Sequence, residues 1–321
     1  MRGKNRGTFF LLAGFIIFAA PFLLNCGFRI WSGGAKRAFE AANSEILWEE
    51  NAAGESEYGK ALQEESAVGK IESTVEKAAG YRVIQGTEKL FTQIAEYNAY
   101  LSEEGQANIM DTQSVIQTPS GIDGLENGMF GYVTIPAMDV ELPLYIGASD
   151  SNLAKGAAVL GATSLPVGGN NTNSVIAGHR GYRGIPYFRE IEKLSVGDSV
   201  FVTNPWETLA YRVEAIDIVD PYDNDAIRIR EGKDMVTLLT YHPYRSHGTY
   251  RYVVYCVREE SRESQDAAAA ADVGSDAIFS SDGEEYECSA YDIALEKVLR
   301  AVCGAFFVLI FLVYSVRKNQ K

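Results

Sequence analysis

The chain has 321 residues and a formal net charge of −14. At about 100–200 residues per domain, that length predicts one main folded domain with accessory segments. The acidity argues against a nucleic-acid partner, because phosphate binding needs a basic surface. Much of it lies in two stretches, Glu40–Glu76 and Glu259–Glu287, which read as solvated surface. The four cysteines, Cys26, Cys256, Cys288 and Cys303, show no metal-ligand spacing, so neither metal nor cofactor is expected. Cys26 and Cys303 fall inside long apolar segments, and pairing of Cys256 with Cys288 stays open as a single distant disulfide.

Arg2, Lys4 and Arg6 precede an apolar run from Thr8 to Phe28, interrupted by Pro21 and Asn25. A positive start before an apolar core fits either a signal peptide or a retained anchor. No small-x-small cleavage site follows, so residues 8–31 read as a retained transmembrane anchor after a cytoplasmic start at 1–7. From Ala35 to about Gly105 the chain is rich in Ala, Glu and Lys. Leu90, Phe91, Ile94, Tyr97, Asn98 and Leu101 carry the three-to-four spacing of one face of an amphipathic helix. Residues 32–118 therefore read as a helical neck, in its simplest form a plain stalk.

Between about Phe130 and Val257 the pattern changes to short β-rich runs punctuated by Gly, Pro and Asn. They are FGYVTIP, VELPLYIG, SVIAGHRG, DSVFVTN, LAYRVEAIDIV, MVTLLTY and YRYVVYCV. Strands at this spacing, with little room for crossover helices, predict an all-β barrel or sandwich. Leu153–Gly156 and Arg189–Leu194 read as short helical turns. Residues 261–297 hold too few apolar groups to bury a core and read as a flexible acidic tether. Ala301–Val316 is apolar and short of the roughly 20 residues that span a bilayer, but Val298 and Leu299 extend it. Residues 298–316 are expected to form a second transmembrane helix, followed by a basic tail at 317–321. Basic residues outside both apolar segments predict a two-pass cell-membrane protein, both termini cytoplasmic and the barrel extracellular.

Chemistry concentrates in VTLLTYHPYRSHGTYRYVVYC, Val236–Cys256. It reads as two strands and a polar turn, with Tyr241 ending the first strand and Arg251 inside the second. Upstream, SVIAGHRG delivers His179 into a glycine-flanked loop. A strand-end residue, a remote histidine and a strand-borne arginine outline a nucleophilic acyl-transfer site. The nucleophile position holds tyrosine. Thr240 faces the opposite side of its strand. Cys256 lies on the opposite face from Arg251 and about 16 Å along the strand. Ser246, in the turn, would need a base of its own. His242 and His247 occupy the same turn and read as solvated histidines.

Longer matches give these residues a context. Gly131-Tyr132-Val133 with Ile135-Pro136, Leu142-Pro143-Leu144-Tyr145 and Gly147 come first. Thr163–Gly169 (TSLPVGG), Gly178-His179-Arg180-Gly181, Thr237-Leu238-Leu239-Thr240, Pro243-Tyr244 and Arg251 follow. The chain resembles the sortase family, specifically the pilin-polymerising class C sortases of Gram-positive bacteria. The resemblance implies a closed β-barrel of about eight strands over residues 119–260, with the helical neck before it and a transmembrane helix at each end. It implies attack by a cysteine thiolate on the Thr–Gly bond of an LPXTG-type sorting signal of a pilin or surface protein. An amine, from a pilin lysine or a cell-wall peptide, then resolves the acyl-enzyme. His179 maps onto the acid–base position and Arg251 onto the arginine that holds substrate or oxyanion. The cysteine directly after Thr-Leu-x-Thr is Tyr241 here. The family's helix residues appear as Tyr97, Asn98 and Leu101, but Asn108–Gly121 lacks the Asp-Pro-aromatic triplet of a class C lid. The expected function is a class C-like sortase impaired by Tyr241. The alternatives are a non-catalytic pseudo-sortase that binds sorting signals or a partner sortase, and a structural surface module.

Overall fold

The computed structural model describes residues 19–21, 23–43, 82–84, 86–106, 116–122, 124–125, 128–245, 248–259 and 298. The acidic tether at 261–297, nearly all of the second apolar segment and the first part of the expected N-terminal anchor lie outside them.

Nine strands are described: β1 (Arg82–Val83), β2 (Gly128–Ile135), β3 (Val140–Ile146), β4 (Ala157–Val159), β5 (Thr172–Ala177), β6 (Ser199–Thr203), β7 (Thr208–Val219), β8 (Asp234–His242) and β9 (Tyr250–Arg258). They form one sheet in the order β1-β2-β3-β4-β5-β8-β9-β7-β6. An additional β2–β6 pairing closes the eight strands from β2 to β6 into a barrel, and β1 adds in parallel beside β2. All seven expected β-runs form strands. β4, Ala-Ala-Val, escapes a sequence reading because three residues show no alternation. The turn expected at Leu153–Gly156 follows a short helix at Asp150–Leu153, and the one at Arg189–Leu194 centres on a single 3-10 turn, Ile191–Lys193.

Alternation along the strands divides inside from outside. On β8 and β9, Val236, Leu238, Tyr252, Val254 and Cys256 join the main core, whereas Met235, Val253 and Tyr255 form a separate cluster. Tyr241 and Arg251 share the parity of this second set and face away from the barrel interior.

Two helices dress the barrel. Helix α1 runs over 23–43 and helix α2 over Glu88–Glu104. Thr87 caps α2, its hydroxyl accepting from Leu90 N at 3.2 Å. The apolar face read from the sequence is docked, with Leu90, Ile94, Asn98 and Leu101 buried. The Asn98 amide donates to Leu165 O at 2.9 Å and accepts from Leu165 N at 2.8 Å. Tyr97 Oη donates to Gly161 O at 2.8 Å. Helix α2 is thus part of the main core and does not stand off as a stalk.

The membrane expectation is corrected. Among the described residues, no helix is long and apolar enough to cross a membrane, which overturns the two-pass topology with cytoplasmic termini and an extracellular barrel. Past the apolar run, helix α1 carries Arg29, Lys36, Arg37 and Glu40, and Lys36 Nζ reaches Glu141 Oε2 at 2.7 Å. Its buried residues Ala35 and Phe39 pack against Met129 and Tyr145 of the barrel. This surface is built for protein.

Closure of the barrel depends on one glycine. A Cβ on Gly131 would sit 1.9 Å from Thr203 O, so β2 can approach β6 only without a side chain there. Gly131→Ala should destabilise the fold by about 1–3 kcal/mol or more, the range of overpacking. Denaturant unfolding of parent and variant measures this, and an unchanged midpoint would refute the closure argument.

Candidate active site

The site is assembled by two strand pairings. β5 and β8 run parallel, with Ala177 opposite Leu239, and Gly178 N donates to Leu239 O at 3.2 Å. The Thr240 hydroxyl donates to Gly178 O at 2.7 Å. This ties the start of the His179 loop to the end of β8. β8 and β9 are antiparallel, and their register places Tyr241 directly opposite Arg251.

His179 is half-buried, stacked on Tyr182 with ring centroids 4.6 Å apart and edge-on to Tyr187 at 5.8 Å. Burial lowers its pKa from the ordinary histidine value, with Asp150 opposing. The ring is therefore neutral at neutral pH, the form that can accept a proton.

Tyr241 is 46 % exposed. The Arg251 guanidinium lies over its ring, 4.6 Å from the centroid. Arg251 Nη1 donates to Gly248 O at 2.8 Å and to Tyr250 O at 3.3 Å. A Cβ on Gly248, which holds φ 87°, would meet both the Tyr241 ring and Arg251 Nη1 at 2.9 Å. Tyr241, Gly248 and Arg251 are a mutually fitted unit. His179 and Tyr241 line a common cavity of about 290 Å³ with Tyr182, Tyr244 and four arginines, Arg180, Arg183, Arg189 and Arg245. Arg251 is not on its wall. The structure thus brings His179 to Tyr241 and Tyr241 to Arg251, but places the arginine behind the tyrosine ring.

Among the described residues, the other candidate nucleophiles are excluded by position. Thr240 is buried and its hydroxyl is engaged. Cys256 is fully buried in the core, and burial pushes its thiol pKa far up. Cys26 is exposed on α1 and is not on the cavity wall. Ser246, His247 and residues 107–115 of the lid segment lie outside the described residues, and none of 116–122 lines the cavity.

His242 corrects the sequence reading. β8 continues through it, and the side chain is 3 % exposed rather than solvated in a turn. Its Nδ1 lies 3.1 Å from Arg180 Nη1 and 3.4 Å from Glu192 Oε1, and its ring packs on Tyr252. Arg180 forms an ion pair with Glu192 and donates to Tyr241 O at 3.0 Å. A buried Arg180–Glu192–His242 group therefore supports the backbone of Tyr241. The cavity arginines were missed in the sequence; the available signal is that Arg180, Arg183 and Arg189 fall within ten residues of His179.

Residues 133–259 match the family model described as the sortase domain. The match lies within the barrel, which is similar to the sortase domain over those residues. By sequence it is similar to sortase A of Bacillus anthracis, 29 % identical over 126 residues, covering 39 % of this chain and 58 % of that protein. It is also similar to sortase D of Bacillus subtilis, 28 % identical over 127 residues and covering 39 % and 61 %. The chain spans about three-fifths of the length of these curated relatives. Among solved structures, sortase C of Streptococcus pneumoniae is 32 % identical, with 60 % of this chain and 97 % of that one covered and a TM-score of 0.48.

Burial lowers the pKa of His242, aided by Arg180 and opposed by Glu192. A histidine held neutral contributes stability that is complete above its unfolded pKa, about 6.5, and is lost as pH falls below it. The stability gap between the parent and His242→Gln should therefore narrow as pH falls from about 7.5 to about 5.5. Thermal unfolding across that range checks it, and a gap that widens on acidification would reverse the sign.

Proposed function

We propose that this protein is a class C-like sortase whose cleft receives LPXTG-type sorting signals of pilins or surface proteins, and that Tyr241 impairs its acyl transfer. The observation that carries this reading is the shared cavity of His179 and Tyr241, with Arg251 opposite Tyr241 in register. In such a cleft a thiolate attacks the Thr–Gly carbonyl carbon, the C–N bond breaks and histidine protonates the departing amine. An acceptor amine, from a pilin lysine or a cell-wall peptide, then attacks the thioester. His179, neutral at neutral pH, suits the proton transfers, and Arg251, set behind the Tyr241 ring in the parent, is the candidate to hold substrate or oxyanion in a cysteine form. The first step lacks its thiol. A phenol on a rigid ring stands at the attacking position, and neither described cysteine lines the cavity.

The non-catalytic form of this reading, a pseudo-sortase that binds sorting signals or a partner sortase, is favoured by one observation. The Tyr241 ring is fitted between the Gly248 backbone and the Arg251 guanidinium.

Full-length parent and Tyr241→Cys, each given an LPXTG-type peptide and an amine acceptor, separate these readings by mass spectrometry and binding. The parent is expected to bind peptide without an adduct, and the cysteine form to accumulate a thioacyl adduct. Adding His179→Ala to the cysteine form should slow adduct turnover by roughly a hundredfold or more. Turnover by the parent would refute impairment by Tyr241. Absence of peptide binding by both forms would refute the sortase-type reading.

A further inference from the structure

We propose that the cavity beside His179 is an anion site that takes a carboxylate side chain of a bound peptide; the choice of a peptide rests on the sortase-type reading above. Arg180, Arg183, Arg189 and Arg245 line it, and no aspartate or glutamate among the described residues does. The chain as a whole carries −14, so this gathering of cations reverses its charge locally.

Among the described residues, neighbouring carboxylates do not balance Arg183 and Arg189. Glu192 offsets Arg180 in their ion pair. Glu190 is shared between Arg189, at 3.6 Å, and Lys193, which leaves one positive charge in excess. Arg183 adds another, its guanidinium lying over the Tyr182 ring at 5.0 Å.

A carboxylate balances the excess charge at Arg183 and Arg189, and the guanidinium fork matches its geometry. The backbone agrees. Arg183 and Arg245 hold left-handed φ values of 49° and 64°, and such non-glycine conformations concentrate at binding sites. Tyr182, Tyr241 and Tyr244 supply flat walls around the charge, and a cavity of about 290 Å³ admits one or two side chains but no folded domain. The anion must arrive on an extended chain.

The test titrates the full-length protein with two labelled pentapeptides, Leu-Pro-Glu-Thr-Gly and Leu-Pro-Gln-Thr-Gly, and separately with inorganic phosphate. The glutamate peptide should bind about tenfold tighter, the scale of one charge-assisted hydrogen bond. That preference should shrink in Arg183→Gln and again in Arg189→Gln, and should fade at about 0.5 M salt. Arg183 is exposed, so its variant remains informative if Arg189→Gln fails to fold. Equal affinity for the two peptides overturns the anion site and leaves the sortase-type reading intact. Failure of both to bind overturns the two together. Phosphate that binds more tightly than the glutamate peptide, with sensitivity to Arg183→Gln, overturns the peptide assignment in favour of a phosphorylated ligand.

Discussion

The parallel pairing of β5 with β8 is the constraint on which the site depends. Residues far apart in sequence become neighbours because the backbone of one strand is hydrogen-bonded to the next, residue against residue. The Thr240 hydroxyl extends that pairing past the last strand residue by holding Gly178 O. Without this bond the His179 loop would leave the sheet before its histidine reached Tyr241. Thr240 is therefore a structural neighbour of the site, and its inward parity explains why it offers no nucleophile.

Beneath this junction lies a buried charge group, and burial of charge is expensive unless partners are well arranged. Arg180 meets that condition through three kinds of contact: the Glu192 carboxylate, the His242 ring nitrogen and the Tyr241 carbonyl. It also lies over the Tyr252 ring at 5.5 Å, so its flat face is covered as well as its edge. The same residue links the inside of the barrel end to the outer cavity, because its guanidinium binds inward groups while its side chain forms part of the cavity wall. Position 241 is thus held by its backbone from below, whatever its side chain does above.

Much of this was legible in the sequence, and the failures have physical causes. Alternation exposed the long strands, since each buries one face, and the three-to-four spacing from Leu90 to Leu101 exposed α2. The three-residue β4 has no period to detect. His242 was placed in the turn after Tyr241, whereas β8 runs one residue further and buries it. The pairing of Tyr241 with Arg251 was foreseen as two neighbouring strands, yet the stacking that draws the arginine off the cavity wall was not. A guanidinium–ring contact depends on side-chain direction, which sequence spacing does not encode. Past the apolar N-terminal stretch, Phe39 packs on Met129 and Tyr145 of the barrel, a contact that hydropathy does not reveal.

The tyrosine at position 241 is accommodated by more than its own site. Its ring needs a glycine at 248, because any Cβ there would collide with both the ring and the guanidinium. It also serves as the platform on which Arg251 rests, an attraction worth about 0.5–1 kcal/mol at an exposed position. A smaller side chain at 241 would remove that platform and leave Arg251 held by the two carbonyls of its own turn. The phenol and the displaced arginine are therefore one structural fact. Whatever the cleft binds meets His179 and the arginine rim first, with Arg251 kept behind the ring.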